Sequence, residues 1–385
     1  MDLSLSVALD TQALEDQASG KGKAILKILV VELAHIGDFV ASTGVIRAIK
    51  EAFRDSLLVA VVTRDTEEVA RLCPYVDEVE VYDYKGEHRG VKGWLDISRR
   101  LRRYGFDIGI ATNLTFREGL LLYLAGCKER VGSPGRGRGI FLTKRSEYIS
   151  RGAMFGLDRE LAFRSITEIR LKVLEPLGIK RVSYPRLEVP EDLKAKVYDT
   201  FLRGLARPIF SFGTSGDGTY KRWGVKRWKI LGERLVSSYG GSIVLIGGKE
   251  EREHNEAIFK LLPFSRDTTG KTTVSDFIAI LSLVDLHIGV DSGPLHAASA
   301  LGKRCVGLFG PANPFCWSPL SENGLVRSIY KFLPCSPCYY KNRPCLSIRP
   351  YGVRPCMSSI SVDDVLREVS EHMSAISSDE MMRKE

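Results

Sequence analysis

The chain has 385 residues, 44% of them hydrophobic and 27% charged, the balance of a globular protein too long for one ordinary core. Its formal net charge of +9 favours an anionic partner and says nothing about fold. No run of about 18 apolar residues is present, which argues against a transmembrane helix. The first residues carry Asp2, Asp10, Glu15 and Asp16, where a secretory leader needs a basic start and an apolar stretch. We expect a loose tail over 1–26 and a cytoplasmic chain whose eight cysteines are reduced or metal-bound.

In chain order, KILVVE (27–32) reads as a buried strand, and FVASTGVIRAIKEAF has helical period. SLLVAVVT is a second strand, TEEVARLC a short helix and VDEVEVYD an alternating strand. VKGWLDISRRLRRYG is an amphipathic helix, and FDIGIATN another strand. Two prolines in RVSYPRLEVP interrupt the pattern, after which it restarts with PIFSFGT as a strand and WKILGERLVSSYG as a helix. GSIVLIGG is a strand, EREHNEAIFKLL and VSDFIAILSLV are helices, LHIGVD is a strand, PLHAASALG a helix and KRCVGLFG a strand. Such alternation predicts an α/β fold of two doubly wound parallel-sheet domains. We place them at 27–190 and 191–372, with a tail over 373–385.

Three turns carry candidate chemistry. Gly37-Asp38 opens the first helix, where the dipole favours a negative side chain, so Asp38 reads either as a helix-start acid or as a base for a hydroxyl group. SFGTSGDGTYKRWGVKRW (211–228) follows a strand with Thr214, Ser215, Gly216, Lys221 and Arg222. Its hydroxyls, amides and cations suit phosphate oxygens, although it matches neither a P-loop nor GxGxxG. VDSGPLHAASALG sets Asp291 at a strand end, then Ser292, Gly293 and Pro294 at a helix start. Free amides there receive an anion or a hydroxyl group, or Asp291 simply caps the helix and His296 fills the core.

Taken in order, HIGDFVASTGVIRAIKEAF, FGTSGDGTYKRW, LIGGKEERE and VDSGPLHAASALGKRCVGLFGPANP resemble the heptosyltransferases, glycosyltransferase family 9, over roughly 27–372. The resemblance implies a GT-B fold: two facing Rossmann-like domains with an interdomain cleft, the first binding the acceptor and the second ADP-heptose. It implies inverting, metal-independent transfer of heptose to a hydroxyl of the lipopolysaccharide inner core. Asp38 is then the catalytic base, and Thr214, Ser215 and Lys221 bind the diphosphate. Glu250 contacts the adenosine ribose, and Asp291, Ser292, Gly293 and His296 line the donor site. Glu32 and His35, where family members often carry Arg and Ser, point to a different acceptor. A protein acceptor of autotransporter type, and an inactive anionic-surface-binding module on the same scaffold, remain as alternatives.

Cys335, Cys338, Cys345 and Cys356, within 334–356, have the spacing C-x2-C-x6-C-x10-C. That suits a structural zinc or iron, with free thiols or disulfides as the other readings. Residues 128–151 hold seven Lys or Arg against Glu129 and Glu147. We read this stretch as a solvated face or as a landing surface for a phosphorylated acceptor at an anionic inner-membrane face. No nucleic acid is expected, because the arginines are not interleaved with stacking aromatics.

Overall fold

The computed structural model describes residues 25–113, 115–135, 137–150, 152, 161–216, 219–322, 324–338, 345 and 353–382, with side chains described as far as 376. The expected tail over 1–26 lies almost wholly outside them. The chain forms two compact units, one containing residues up to 154 and Ile166–Arg186, the other 155–165 and Leu187 onward.

The first unit is built on six parallel strands: β1 Lys27–Glu32, β2 Leu57–Val62, β3 Glu78–Val81, β4 Ile108–Ala111, β5 Glu129–Gly132 and β6 Lys144–Arg145. They lie in the order β3-β2-β1-β4-β5-β6. β1 is central and covered on both faces, which is why KILVVE is an unbroken apolar run rather than an alternating one. The helix Gly90–Arg102 buries Gly93, Ile97 and Leu101, spaced four apart on one stripe, and turns its charged residues outward. Ile97 and Leu101 join Leu29, Val31, Val59, Val61 and Phe106 in the core.

Six parallel strands also form the second unit: β7 Ile209–Gly213, β8 Ser242–Ile246, β9 Arg266–Asp267, β10 Leu286–Val290, β11 Arg304–Phe309 and β12 Val326–Tyr330. Their order, β12-β11-β10-β7-β8-β9, repeats that of the first sheet read from the other edge. Trp223 and Trp228, read from the sequence as part of a basic loop, are fully buried here. They meet edge-on at 5.1 Å, and Trp223 Nε1 donates to the Ile360 carbonyl at 2.9 Å. The helix Val362–Met382 runs into the stretch expected as a tail.

In both sheets the strand order reverses beside the first strand, between β1 and β4 and between β7 and β10. Ligands of open parallel sheets collect beyond the strand ends at such a switch point. The candidate residues fall at these two places.

Candidate active site

In the second unit the two predicted loops touch. Gly216, three residues past β7, fits tightly: a Cβ there would lie 3.1 Å from Ser292 Cβ and 3.2 Å from the Asp291 carbonyl oxygen, closer than most side chains tolerate. Glycine thus lets the loop after β7 close onto the turn after β10. Lys221 reaches the same turn. Its Nζ donates to Asp291 Oδ2 at 2.6 Å and to the Asp291 main-chain oxygen at 2.8 Å. Both residues are buried. His296 Nε2 stands 3.9 Å from the other carboxylate oxygen.

Burial, the largest influence on the Asp291 carboxyl, pushes its pKa up, but Lys221 and His296 outweigh it and hold the group below the usual carboxylate range. Asp291 does not cap the following helix. Ser292 is the N-cap of Gly293–Ala300 and makes no side-chain capping bond; its hydroxyl donates to the Val290 carbonyl at 3.0 Å.

Thr214 Oγ1 donates to Asn255 Oδ1. Asn255 Nδ2 donates to the Ile246 carbonyl at 3.1 Å and to Thr269 Oγ1 at 2.7 Å. This fully buried amide ties the ends of β7 and β8 together. Beside it, His254 is brought down to about 4 by burial, with Arg222 acting in the same direction. Among the described residues, Ser215 Oγ makes one long 3.5 Å contact, to the Gly216 carbonyl. Glu250 is exposed in the turn Lys249–Glu251 beyond β8, while its neighbour Glu251 accepts from the Gly248 amide at 2.6 Å.

In the first unit Asp38 lies in the first turn of the helix Ile36–Ala52. It is not a cap, since its carboxylate oxygen Oδ1 accepts from Arg170 Nη2 at 2.6 Å. Arg170, from the short helix Ile166–Leu171, is 1% exposed. Its Nη1 donates to Ser42 Oγ at 2.7 Å and to the Asp38 main-chain oxygen. Glu32, ending β1, accepts from Ser42 Oγ at 2.5 Å and Thr112 Oγ1 at 2.7 Å, and lies 3.7 Å from Arg170 Nη1. Glu118 accepts the Leu33 and Asn113 amides at 3.2 and 3.0 Å. Burial raises Glu32 and raises Glu118 strongly, the latter reinforced by the charge of Glu32. Arg170 is itself raised: burial disfavours its charge, but Glu32 and Asp38 outweigh that.

The sequence singles out Asp38, Asp291, Glu32 and Lys221 as candidates but not Arg170, Glu118 and Asn255, which the structure places beside them. The only signal for Arg170 was its position between Ile169 and Leu171 in a short helix.

The four C-terminal cysteines are unbridged. Burial first, then the charges of Cys338, Cys345 and Cys335, push the Cys356 thiol up to about 11. Yet no three His, Cys, Asp or Glu side chains stand close enough to hold a metal ion among the described residues. The expected thiolate quartet is thus not seen among the described residues. Cys356 is buried in the helix Pro355–Ser358, Cys335 is exposed, and the chain on both sides of Cys345 lies outside the described residues.

The basic stretch is also less free than its composition suggests. Arg138 is buried and donates to the Ser133 and Pro134 carbonyls at 2.6 and 2.9 Å. Arg130 donates to the Phe141 and Cys127 carbonyls at 2.5 and 2.7 Å. Lys128 and Lys144 pair with Asp107 and Glu129 at 2.8 and 3.0 Å. Arg136 and Arg151 lie outside the described residues. Large apolar side chains are exposed in and near this stretch: Ile140 at 74%, Tyr148 at 63% and Phe116 at 48%.

Lipopolysaccharide heptosyltransferase 2 of Escherichia coli K12 is 23% identical over 315 residues, spanning 78% of this chain and 87% of that relative. Among solved structures, E. coli ADP-heptose lps heptosyltransferase II covers 91% of this chain and all of its own, at 22% identity and a TM-score of 0.74. A glycosyl transferase family 9 structure from Veillonella parvula gives 0.76 at 22% identity, covering 92% and 100%. These likenesses establish the fold as the GT-B arrangement expected from the sequence. Residues 94–347 match the model for glycosyltransferase family 9 (heptosyltransferase), so that well over half of the chain is covered and the chain belongs to this family of glycosyltransferases.

Proposed function

We propose that this glycosyltransferase moves heptose from ADP-heptose to a hydroxyl of the lipopolysaccharide inner core, with inversion at the anomeric carbon and without a catalytic metal. The single observation that carries the donor assignment is the meeting of Gly216, Lys221 and Asp291 beyond β7 and β10. It offers a glycine loop that accepts a diphosphate at close range, a cation beside it and an acid for sugar hydroxyls. Thr214, Ser215, Ser292, Gly293 and His296 complete the donor contacts, and Glu250 meets the ribose.

In the reaction the acceptor oxygen attacks the anomeric carbon from the face opposite ADP. The bond from that carbon to the diphosphate oxygen breaks, its electron pair stays with ADP, and the acceptor proton passes to Asp38. Lys221 offsets charge growing on the diphosphate, a role for which a metal-dependent enzyme uses an Asp-X-Asp pair that the sequence lacks at these strand ends. The domain roles follow: the residues around 27–190 bind the acceptor, those around 191–372 the donor.

Mass spectrometry of products after incubation with ADP-heptose and a Kdo-bearing core acceptor tests the reading. Heptose addition is expected. Donor binding by calorimetry without transfer to that acceptor points instead to another acceptor, and no binding removes the assignment.

Two finer parts go with it. No helix among the described residues is long and apolar enough to cross a membrane. A peripheral seat on an anionic bilayer is supported by the exposed apolar Ile140, Tyr148 and Phe116 and the exposed Arg145, since apolar side chains and cations suit the lipid interface. For the cysteines, a structural zinc or iron is supported by their spacing and opposed by the lack of three at ligand distance among the described residues. Elemental analysis of the purified protein decides it, with one metal per chain expected.

A further inference from the structure

Arg170 takes no part in the chemistry above, yet it is the most constrained charged side chain near Asp38. One face of its guanidinium grips Asp38 twice, at the carboxylate oxygen Oδ1 and at the main-chain oxygen. Ser42 accepts from the same nitrogen that reaches the main chain, and in turn donates to Glu32. The arginine is fully buried, so these contacts are not diluted by water. Holding both the backbone and the side chain of one residue fixes its position and its rotamer together. A planar fork does this; an ammonium does not.

The grip leaves the other carboxylate oxygen, Oδ2, without a hydrogen-bond partner among the described residues, on a side chain that is 24% exposed. A carboxylate tethered through one oxygen presents the second in a single direction. We propose that Arg170 is a positioning residue for Asp38: it aims Oδ2 at the acceptor hydroxyl. The proposal rests on the reading of Asp38 as the base.

The surrounding acids agree with this division of labour. Glu32 and Glu118 are also near Arg170, and burial disfavours the charge of both. Asp38, partly open to solvent, is the partner on which the guanidinium makes its shortest side-chain contact with an acid. Glu32 is already satisfied by Ser42 and Thr112, so it holds the network in place rather than competing for the fork.

The test compares Arg170→Met, Arg170→Lys, Asp38→Asn and Arg170→Met/Asp38→Asn, using ADP-heptose and a Kdo-bearing core acceptor. Misplacing a reacting group by about an ångström costs about 100-fold, so Arg170→Met should lower kcat by roughly that factor while KM for ADP-heptose stays within about twofold. Arg170→Lys, which keeps the charge and loses the fork, should recover only part, and millimolar guanidinium should partly rescue Arg170→Met. In the Asp38→Asn background the arginine substitution should change the residual rate less than about twofold, because its route of action is gone.

A folded Arg170→Met enzyme with parental kcat overturns the proposal. So does an equal loss in both backgrounds, which would mean that Arg170 acts on the fold and not through Asp38. If Arg170→Met does not fold, Arg170→Lys in the two backgrounds carries the same comparison on the same terms. Turnover surviving in Asp38→Asn alone would instead remove the base assignment, a different failure from any of these.

Discussion

Replacing Lys221 with Met tests the donor region most directly, and its cost can be worked from the structure. The ammonium sits 2.6 Å from Asp291 Oδ2 and 2.8 Å from the Asp291 carbonyl, and both residues are buried. Met fills the space of the stem but leaves a buried carboxylate with only His296, at 3.9 Å, as counter-charge. Orphaning one member of a buried pair costs about 3–5 kcal/mol. In a unit of roughly 210 residues each kcal/mol moves Tm by about 2–4 °C, so a fall of about 6–20 °C is expected. Removing both charges, in Lys221→Met/Asp291→Leu, should recover most of that loss, because no uncompensated charge remains. Trp223 and Trp228, buried in the same unit, report its melting by fluorescence.

Donor affinity should behave differently. Calorimetric titration with ADP-heptose should show weak binding in the single and the double variant alike, since stability returns but the ammonium, and in the double variant the Asp291 carboxylate as well, does not. A single variant that melts like the parent would refute the buried-pair account. A double variant no more stable than the single one would show that the two charges are not coupled. Restored donor binding in the double variant would remove Lys221 from the diphosphate assignment and leave it a purely structural lysine.

Asp291 also sets a pH dependence. Its folded-state pKa is depressed, so its contribution is complete above the unfolded value of about 4 and is lost as pH falls through the folded value. Acid melting of the second unit should therefore lose a component in Lys221→Met/Asp291→Leu, measured as a flatter Tm-versus-pH curve below about pH 4. Glu118→Ala leaves the Leu33 and Asn113 amides without their acceptor and should destabilise the first unit by about 2–4 kcal/mol in denaturant titration. Gly216→Ala forces a Cβ to 3.1 Å from Ser292 and should weaken ADP-heptose binding about tenfold, roughly 1.4 kcal/mol, with little change in Tm. Ile140→Asp should lower the fraction of protein that sediments with phosphatidylglycerol vesicles and leave soluble-acceptor turnover unchanged.

The central strands were legible because burial on both faces writes them as apolar runs: KILVVE became β1 without a shift, and LHIGV became β10. Of the edge strands only β3, with its alternating EVEV, was legible. The edge strands β6 (KR), β9 (RD) and β12 (VRSIY), and β5 (ERVG) beside β6, were not. Each is short and carries charge, and so resembles loop. The burial of Trp223 was hidden for a related reason: interleaved Lys and Arg give this segment the composition of a solvated loop.

The same asymmetry explains the sites. Each switch point holds an acid placed by local sequence and a cation placed by the fold. Gly-Asp and Asp-Ser-Gly-Pro announce themselves because glycine and proline mark where a helix begins after a strand. Arg170 is 132 residues from Asp38, and no local pattern says that an arginine in ITEIRL will be buried, since arginines almost never are unless paired. Lys221 was legible only as part of a basic loop, which suggested an anion from outside; the structure supplies one from within, 70 residues on. An ion pair that spans such a distance is invisible to spacing rules but has a consequence that can be reasoned backwards. A carboxylate at the end of a buried strand must find a counter-charge or be neutral. Asp38 and Asp291, both at helix starts, have found theirs. Glu32 and Glu118 share what remains of Arg170 and are driven toward neutrality instead. The acids that keep a dedicated cation are thus the two that the proposed chemistry needs charged, one to take a proton and one to hold sugar hydroxyls, whereas the acids without one are used as hydrogen-bonding braces for the strand ends.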